Sequence, residues 1–301
     1  MDALDRHEHS ALADGRAVTA PKAVAAWLLH GRDVADLLQR LSASQLAELS
    51  SAELRPALFC DDKGRLVAMA LLLAADTGVL ALCAASDGER LRTWIERFII
   101  MEEVEFRELP QLRVVHLLGA RASHAAATIE NGCRLYPIPP EFGGDAVWLC
   151  ETPEEASQLV TALAGSGLAV VRDDTARCWN LERGIPTPGC GLDEHFHPLE
   201  VGLSRFVSMD KGCYVGQEVL ARLHNYDKVR RGLGMLRGDG DSPARHAELR
   251  LKAKVIGRVV DAMRSGGGYI AVGTVELSCP DGAVIQPEAA AAGTLTRFPA
   301  A

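Results

Sequence analysis

Between Asp210 and Glu218 the chain reads DKGCYVGQE. A cysteine stands there among a lysine, two glycines and a tyrosine, just ahead of QEVLARL, whose apolar residues recur at helical spacing. Two fates are open to such a thiol. Lys211 lies two residues away and a helix N-terminus follows, and both favour the thiolate of Cys213, because positive charge and the helix dipole lower a thiol pKa. The alternative is a buried, inert core cysteine, the commoner fate of the residue type. The polar flanks argue against it. Gly212 and Gly216 are both expected to turn the backbone between RFVSM, read as β-prone, and the helix.

Other residues carry weaker signals. His195 and His197 form an HxH in DEHFHPLE. On a strand both imidazoles would share a face and suit a metal, yet two ligands without a third leave a surface or gate loop as the stronger reading, and no metal is assigned. Arg222 to Arg231, RLHNYDKVRR, concentrates positive charge in an acidic protein. It reads either as a solvated edge or as an anion-binding run that includes Arg230. No dinucleotide-binding glycine motif, P-loop or nucleophile elbow is present.

The elements that must position these residues follow from the patterning. At 301 residues there is room for two domains. Net charge of −8 disfavours a nucleic-acid surface. No apolar run is long enough for a membrane span, and the N-terminus lacks the pattern of a secretory signal. Eight cysteines without a CxxC pair point to neither a disulfide framework nor a zinc ribbon, and a reducing cytoplasm is expected. The first fifteen residues read as polar and frayed. Residues 16–182 alternate strands and amphipathic helices, among them GRDVADLLQRLSASQL, DGERLRTWIERFII with Asp87 as N-cap, and TPEEASQLVTALAGSG. PALFCDDKGRLVAMALLLAAD reads as strand, turn and strand. After Lys228 helical periodicity gives way to glycines and short strands, which predicts a small antiparallel barrel. The expected division is therefore 1–229, an α+β region, and 230–301, the barrel.

KGCYVGQE, with ERGIP and HPLEVGLSRFVSMDKG ahead of it and FCDDKGRLVA in the first third, resembles the signature of the folate-binding YgfZ family, relatives of the glycine-cleavage T-protein. The resemblance covers nearly the whole chain. It implies an α+β, three-lobed, T-protein-like fold around a channel for tetrahydrofolate, with a C-terminal antiparallel β-barrel. It also implies a role in assembling or repairing iron–sulfur proteins, with client or assembly proteins as partners, neither nucleic acid nor membrane among them, and Cys213 as key residue. In T-proteins a glutamate two residues before a glycine binds the pterin. NLERG places Glu182 there, where a carboxylate can accept two hydrogen bonds from the ring, a solvated helix-end glutamate being the alternative. Glu200 matches a position near the folate channel, or else caps its turn; Tyr214 and Gln217 shape the motif loop; Arg230 would meet the glutamate tail. The T-protein's catalytic Asp-Asp aligns with Ala68 and Met69, while Asp61 and Asp62 read as turn residues. That favours the accessory role over the alternative, a folate-dependent aminomethyl transferase. A thiol redox protein without folate is a third reading, weakened by the lack of a resolving cysteine nearby.

Overall fold

The computed structural model describes residues 3–126, 134–185 and 189–298. Cys133 and Pro186 lie outside them, as does the end of the expected helix RASHAAATIE. The chain divides into two compact units, residues 1–59 with 67–176, and residues 60–66 with 177–301. The barrel starts at Arg231, beside the expected boundary of 230, and its unit also takes in the turn at 60–66 and residues 177–230.

In the first unit, helix α1 (Ala3–Ala13) precedes strands β1 (Ala17–Thr19) and β2 (Lys22–His30) and helix α2 (Val34–Leu41). Strands β3 (Arg55–Cys60), β4 (Leu66–Ala75) and β5 (Gly78–Ala84) follow, then α3 (Gly88–Glu96), β6 (Glu105–Glu108) and β7 (Arg113–Leu118). Helix α4 (Ala120–Ala126), strands β8 (Arg134–Pro137) and β9 (Ala146–Cys150), helix α5 (Pro153–Gly165), strand β10 (Ala169–Val171) and helix α6 (Asp173–Glu182) lead toward the second unit. The strands form one sheet in the order β10-β1-β7-β2-β5-β4-β3, with β6 on β2 and with β9, which also carries β8, on β7. Residues 66–73 of β4 are buried on both faces, as a continuous apolar run in an inner strand should be. Thr152 caps α5 by accepting from the Glu155 amide at 3.2 Å, and Leu159 and Leu163 of that helix pack with Val115, Leu117 and Trp148.

Two local expectations are corrected. The N-terminal segment is helical: Ala11 and Leu12 are buried, and the Glu8 carboxylate accepts from Arg172 Nε at 3.0 Å. Long-range ties supply what local propensity did not. Helix α3 stops at Glu96, short of Ile100, and Asp87 at its N-cap position makes no side-chain capping bond. Its Oδ1 instead accepts from Arg90, at 3.2 Å.

The second unit is built on a closed antiparallel barrel of β11 (Arg231–Asp239), β12 (Glu248–Leu251), β13 (Lys254–Ser265), β14 (Gly268–Glu276), β15 (Val284–Pro287) and β16 (Gly293–Arg297), in the order β11-β14-β13-β12-β15-β16. Closure leaves no free edge. Leu236, Leu249, Val259, Ala271, Val275, Ile285 and Leu295 fill its interior. A register shift in β13 leaves Asp261 fully buried opposite Val272, on the barrel face that α6 covers, where Arg177 of α6 meets it with both Nε and Nη2. Helix α7 (Gln217–Asn225) carries the motif into the barrel. No helix among the described residues is long and apolar enough to cross a membrane.

Candidate functional site

The RFVSM segment is not a strand. Ser204–Phe206 forms a single 3-10 turn, with Val207 N donating to Ser204 O at 3.0 Å. The chain then enters the motif, and its two glycines prove unequal. Gly216, the N-cap of α7, has φ +83°, a region an L side chain enters only at a cost. A Cβ there would also overlap Asp61 O and come within 3.1 Å of Gly64 Cα. Gly212 has no positive φ, and nothing lies within 4 Å of where its Cβ would stand.

The seat for Gly216 is the DDKG turn. Asp61 Oδ1 accepts from the amides of Lys63 at 3.0 Å and Arg65 at 2.8 Å, closing an Asx-type turn. Gly64, at φ +69°, leaves room for Leu220 of α7, whose Cγ would stand 3.1 Å from an added Cβ. DEHFHPLE packs on the same turn. Leu66 N donates to Phe196 O at 2.9 Å, Arg65 Nη1 donates to the carbonyls of Glu194 (3.1 Å) and His195 (3.0 Å), and His197 Nδ1 meets Gly64 O at 2.8 Å. Three segments far apart in sequence thus form one cluster in the second unit.

Within it, Cys213 is exposed while Lys211 is buried, 7% exposed, with Nζ 5.3 Å from the centre of the Tyr214 ring. Burial pulls the Lys211 amine down to about 8, since a desolvated ammonium is disfavoured. Tyr214 is buried too, its phenol pushed up to about 12 by desolvation, and its hydroxyl has no hydrogen-bond partner among the described residues. Gln217 Nε2 donates to Lys211 O at 3.3 Å, tying the first residue of α7 back to the loop. Three residues, Tyr214 to Gly216, separate Cys213 from the first residue of α7.

The remaining expected site residues are placed as follows. Glu182 ends α6 and its Oε1 accepts from Arg237 Nη2 of β11 at 2.8 Å. Glu200 closes the Pro198–Glu200 turn, accepting from His197 N at 3.5 Å. Arg230 is exposed just before β11, its carbonyl accepting from Leu277 N at 2.8 Å. Lys228 is exposed, its ammonium 5.1 Å from the Tyr226 ring centre. Ala68 and Met69 are buried in β4, so neither position carries a carboxylate.

The HxH pair separates. His197 turns to Gly64, while His195 Nδ1 lies 2.8 Å from Asp193 Oδ1. The other oxygen of Asp193 meets His246 Nε2 at 3.0 Å, and the two imidazoles stack with centroids 4.2 Å apart. Asp193 stood beside the HxH in the sequence; no sequence signal pointed to His246, which arrives from the barrel.

A six-stranded closed barrel following an α+β unit gives the chain a T-protein-like fold. Aminomethyltransferase T of the glycine cleavage system from Bartonella henselae shares the fold, with a TM-score of 0.73 at 16% identity over 97% of this chain and 87% of that one. In sequence the chain is YgfZ-like. It is 23% identical to the tRNA-modifying protein YgfZ of Escherichia coli over 265 residues, 82% of this chain and 81% of that protein, and 24% identical to the YgfZ of Klebsiella pneumoniae over the same length. A putative chloroplastic transferase of Arabidopsis thaliana is 31% identical over 99 residues, which span 32% of this chain and only 22% of that protein. No protein-family profile matches the chain.

Proposed function

We propose that this chain is a folate-binding protein of the YgfZ type that supports the assembly or repair of iron–sulfur proteins in the cytoplasm, with Cys213 as its reactive group. One observation carries the reading: among the described residues Cys213 is the one exposed cysteine, and it sits on a loop whose backbone is fixed by the fit of Gly216 against Asp61. A cysteine sulfur held at the surface suits the ligation of an iron passed to or from a client. The buried thiols of Cys60 and Cys83 are pushed well up by desolvation and do not compete for that role.

Tetrahydrofolate fits the residues present. Tyr214 offers a buried hydroxyl that lacks a protein partner, and Glu182 offers a carboxylate for the pterin amino edge, oriented by Arg237. Glu200 and Gln217 belong to the same cluster of segments, and exposed Lys228 and Arg230 suit the carboxylates of a glutamate tail. Lys211, with its amine near 8, exchanges its proton close to working pH. An aminomethyl transferase is the weaker reading, because the aligned carboxylate positions hold Ala68 and Met69. The relatives are named for tRNA modification, and a net charge of −8 does not favour direct RNA contact by this chain.

The test is Cys213→Ser with two readouts. Activity of iron–sulfur enzymes in cells relying on this protein should be lost, because a serine hydroxyl is a poor iron ligand at neutral pH. Tetrahydrofolate affinity by calorimetry should stay unchanged. Full complementation by the variant would remove the cysteine from the function.

A further inference from the structure

We infer that Asp193, His195 and His246 form a binding site for a divalent transition-metal ion of the zinc class. The three ligand atoms, one from each side chain, all lie within 4.8 Å of one another. They come from the 193–197 loop and from the barrel segment before β12, so the fold and not local sequence assembles them. Two imidazoles and one carboxylate suit Zn2+, Co2+ or Ni2+, whereas Mg2+ and Ca2+ prefer an all-oxygen shell.

The surroundings are built around these groups. Asp193 is nearly buried, and its Oδ1 also accepts the His195 amide at 3.0 Å, which fixes the carboxylate. Arg65 Nη1 donates to the consecutive carbonyls of Glu194 and His195 within the loop. His246 adopts φ +64°, an uncommon conformation for a non-glycine residue, held by its amide donating to Val259 O at 2.9 Å. Buried Phe196 stands against both rings, at 6.4 Å from His195 and 6.0 Å from His246, giving the site an apolar wall.

The two imidazoles bond to the carboxylate and stack 17° from parallel. A metal must lie near the plane of each ring that binds it, so one ring has to turn. His195, whose side chain is 41% exposed, has the room. Neutral imidazoles need lose no proton on binding: each shifts its N–H to the nitrogen pointing away from the metal. Three protein ligands leave positions for water or an anionic ligand, the pattern of an open rather than a closed structural site.

The experiment uses the full chain, stripped by chelator and titrated with Co2+, whose visible d–d absorption reports nitrogen and oxygen ligation. Because the exposed Cys213 sulfur is itself a ligand for soft metals, the titration is run in Cys213→Ser as well. We expect about one equivalent bound in both proteins, consistent with a three-ligand site. His246→Asn and Asp193→Asn should each lower affinity at least about tenfold, since loss of even an outer-sphere partner costs that much. His195→Ala, at the surface, serves as the variant whose fold is safest, with far-UV circular dichroism as the check. Absence of a Co2+ band, a band that vanishes in Cys213→Ser, or unchanged affinity in His195→Ala would each overturn the assignment.

Discussion

Replacing Gly216 with alanine should unseat the motif loop, whereas the same change at Gly212 should pass almost unnoticed. At Gly216 two costs add. An L residue at φ +83° is strained by about 1–2 kcal/mol. The new Cβ would also overlap Asp61 O, and a backbone shift to relieve it costs about 1–3 kcal/mol more. Alanine returns about 0.4–1 kcal/mol by restricting the unfolded chain. The net loss is about 1–4.5 kcal/mol, a sizeable part of the roughly 5–15 kcal/mol that holds a domain together. Gly212 has open space around its Cβ position and no positive φ, so Gly212→Ala should stay within about 0.5 kcal/mol. Hydrogen exchange read over residues 60–66 and 210–225 is the suitable assay, because the loss is local and both segments share the contact. Gly216→Ala should speed exchange in both segments together, and Gly212→Ala in neither. If the two variants behave alike, or if only 210–225 responds, the DDKG turn is not the seat of the loop.

Two further outcomes follow from the same cluster. Burial lowers the Lys211 amine from 10.5 to about 8, so between those pH values the unfolded chain holds more protons than the folded one, and stability rises with pH. Denaturant midpoints at several pH values should show this rise, about 3 kcal/mol at most, and Lys211→Met should abolish it; an equal slope in the variant would place the titration elsewhere. Tyr214→Phe removes a buried hydroxyl that has no partner among the described residues, so the melting temperature should hold or increase, by up to about 1 kcal/mol of stability, while tetrahydrofolate affinity falls. A clear loss of stability with unchanged folate binding would mean that the hydroxyl serves the fold instead.

Much of the architecture was legible because it rests on local periodicity. The barrel after Lys228 announced itself through glycines and short strands, and helices α2 and α5 through apolar spacing, although α2 ends at Leu41 and not at the expected Leu46. DDKG read correctly as a turn, since the aspartate and glycine types that close it are those that Asx geometry and a positive φ demand. Features held by distant groups escaped. The first residues looked frayed until Arg172 met Glu8, and RFVSM looked β-prone although it closes a 3-10 turn. The two motif glycines were indistinguishable on paper, because a glycine's necessity lies in what its missing Cβ would strike, and at Gly216 that is the carbonyl of Asp61, far back in the chain. Likewise HxH promised a shared face, yet His197 turned to Gly64 and His195 to Asp193 and His246. Residue type and spacing determined which elements form and which side chains carry chemistry. Which of those side chains meet was decided by tertiary packing, because the groups that bring them together lie on segments that only the closed fold makes neighbours.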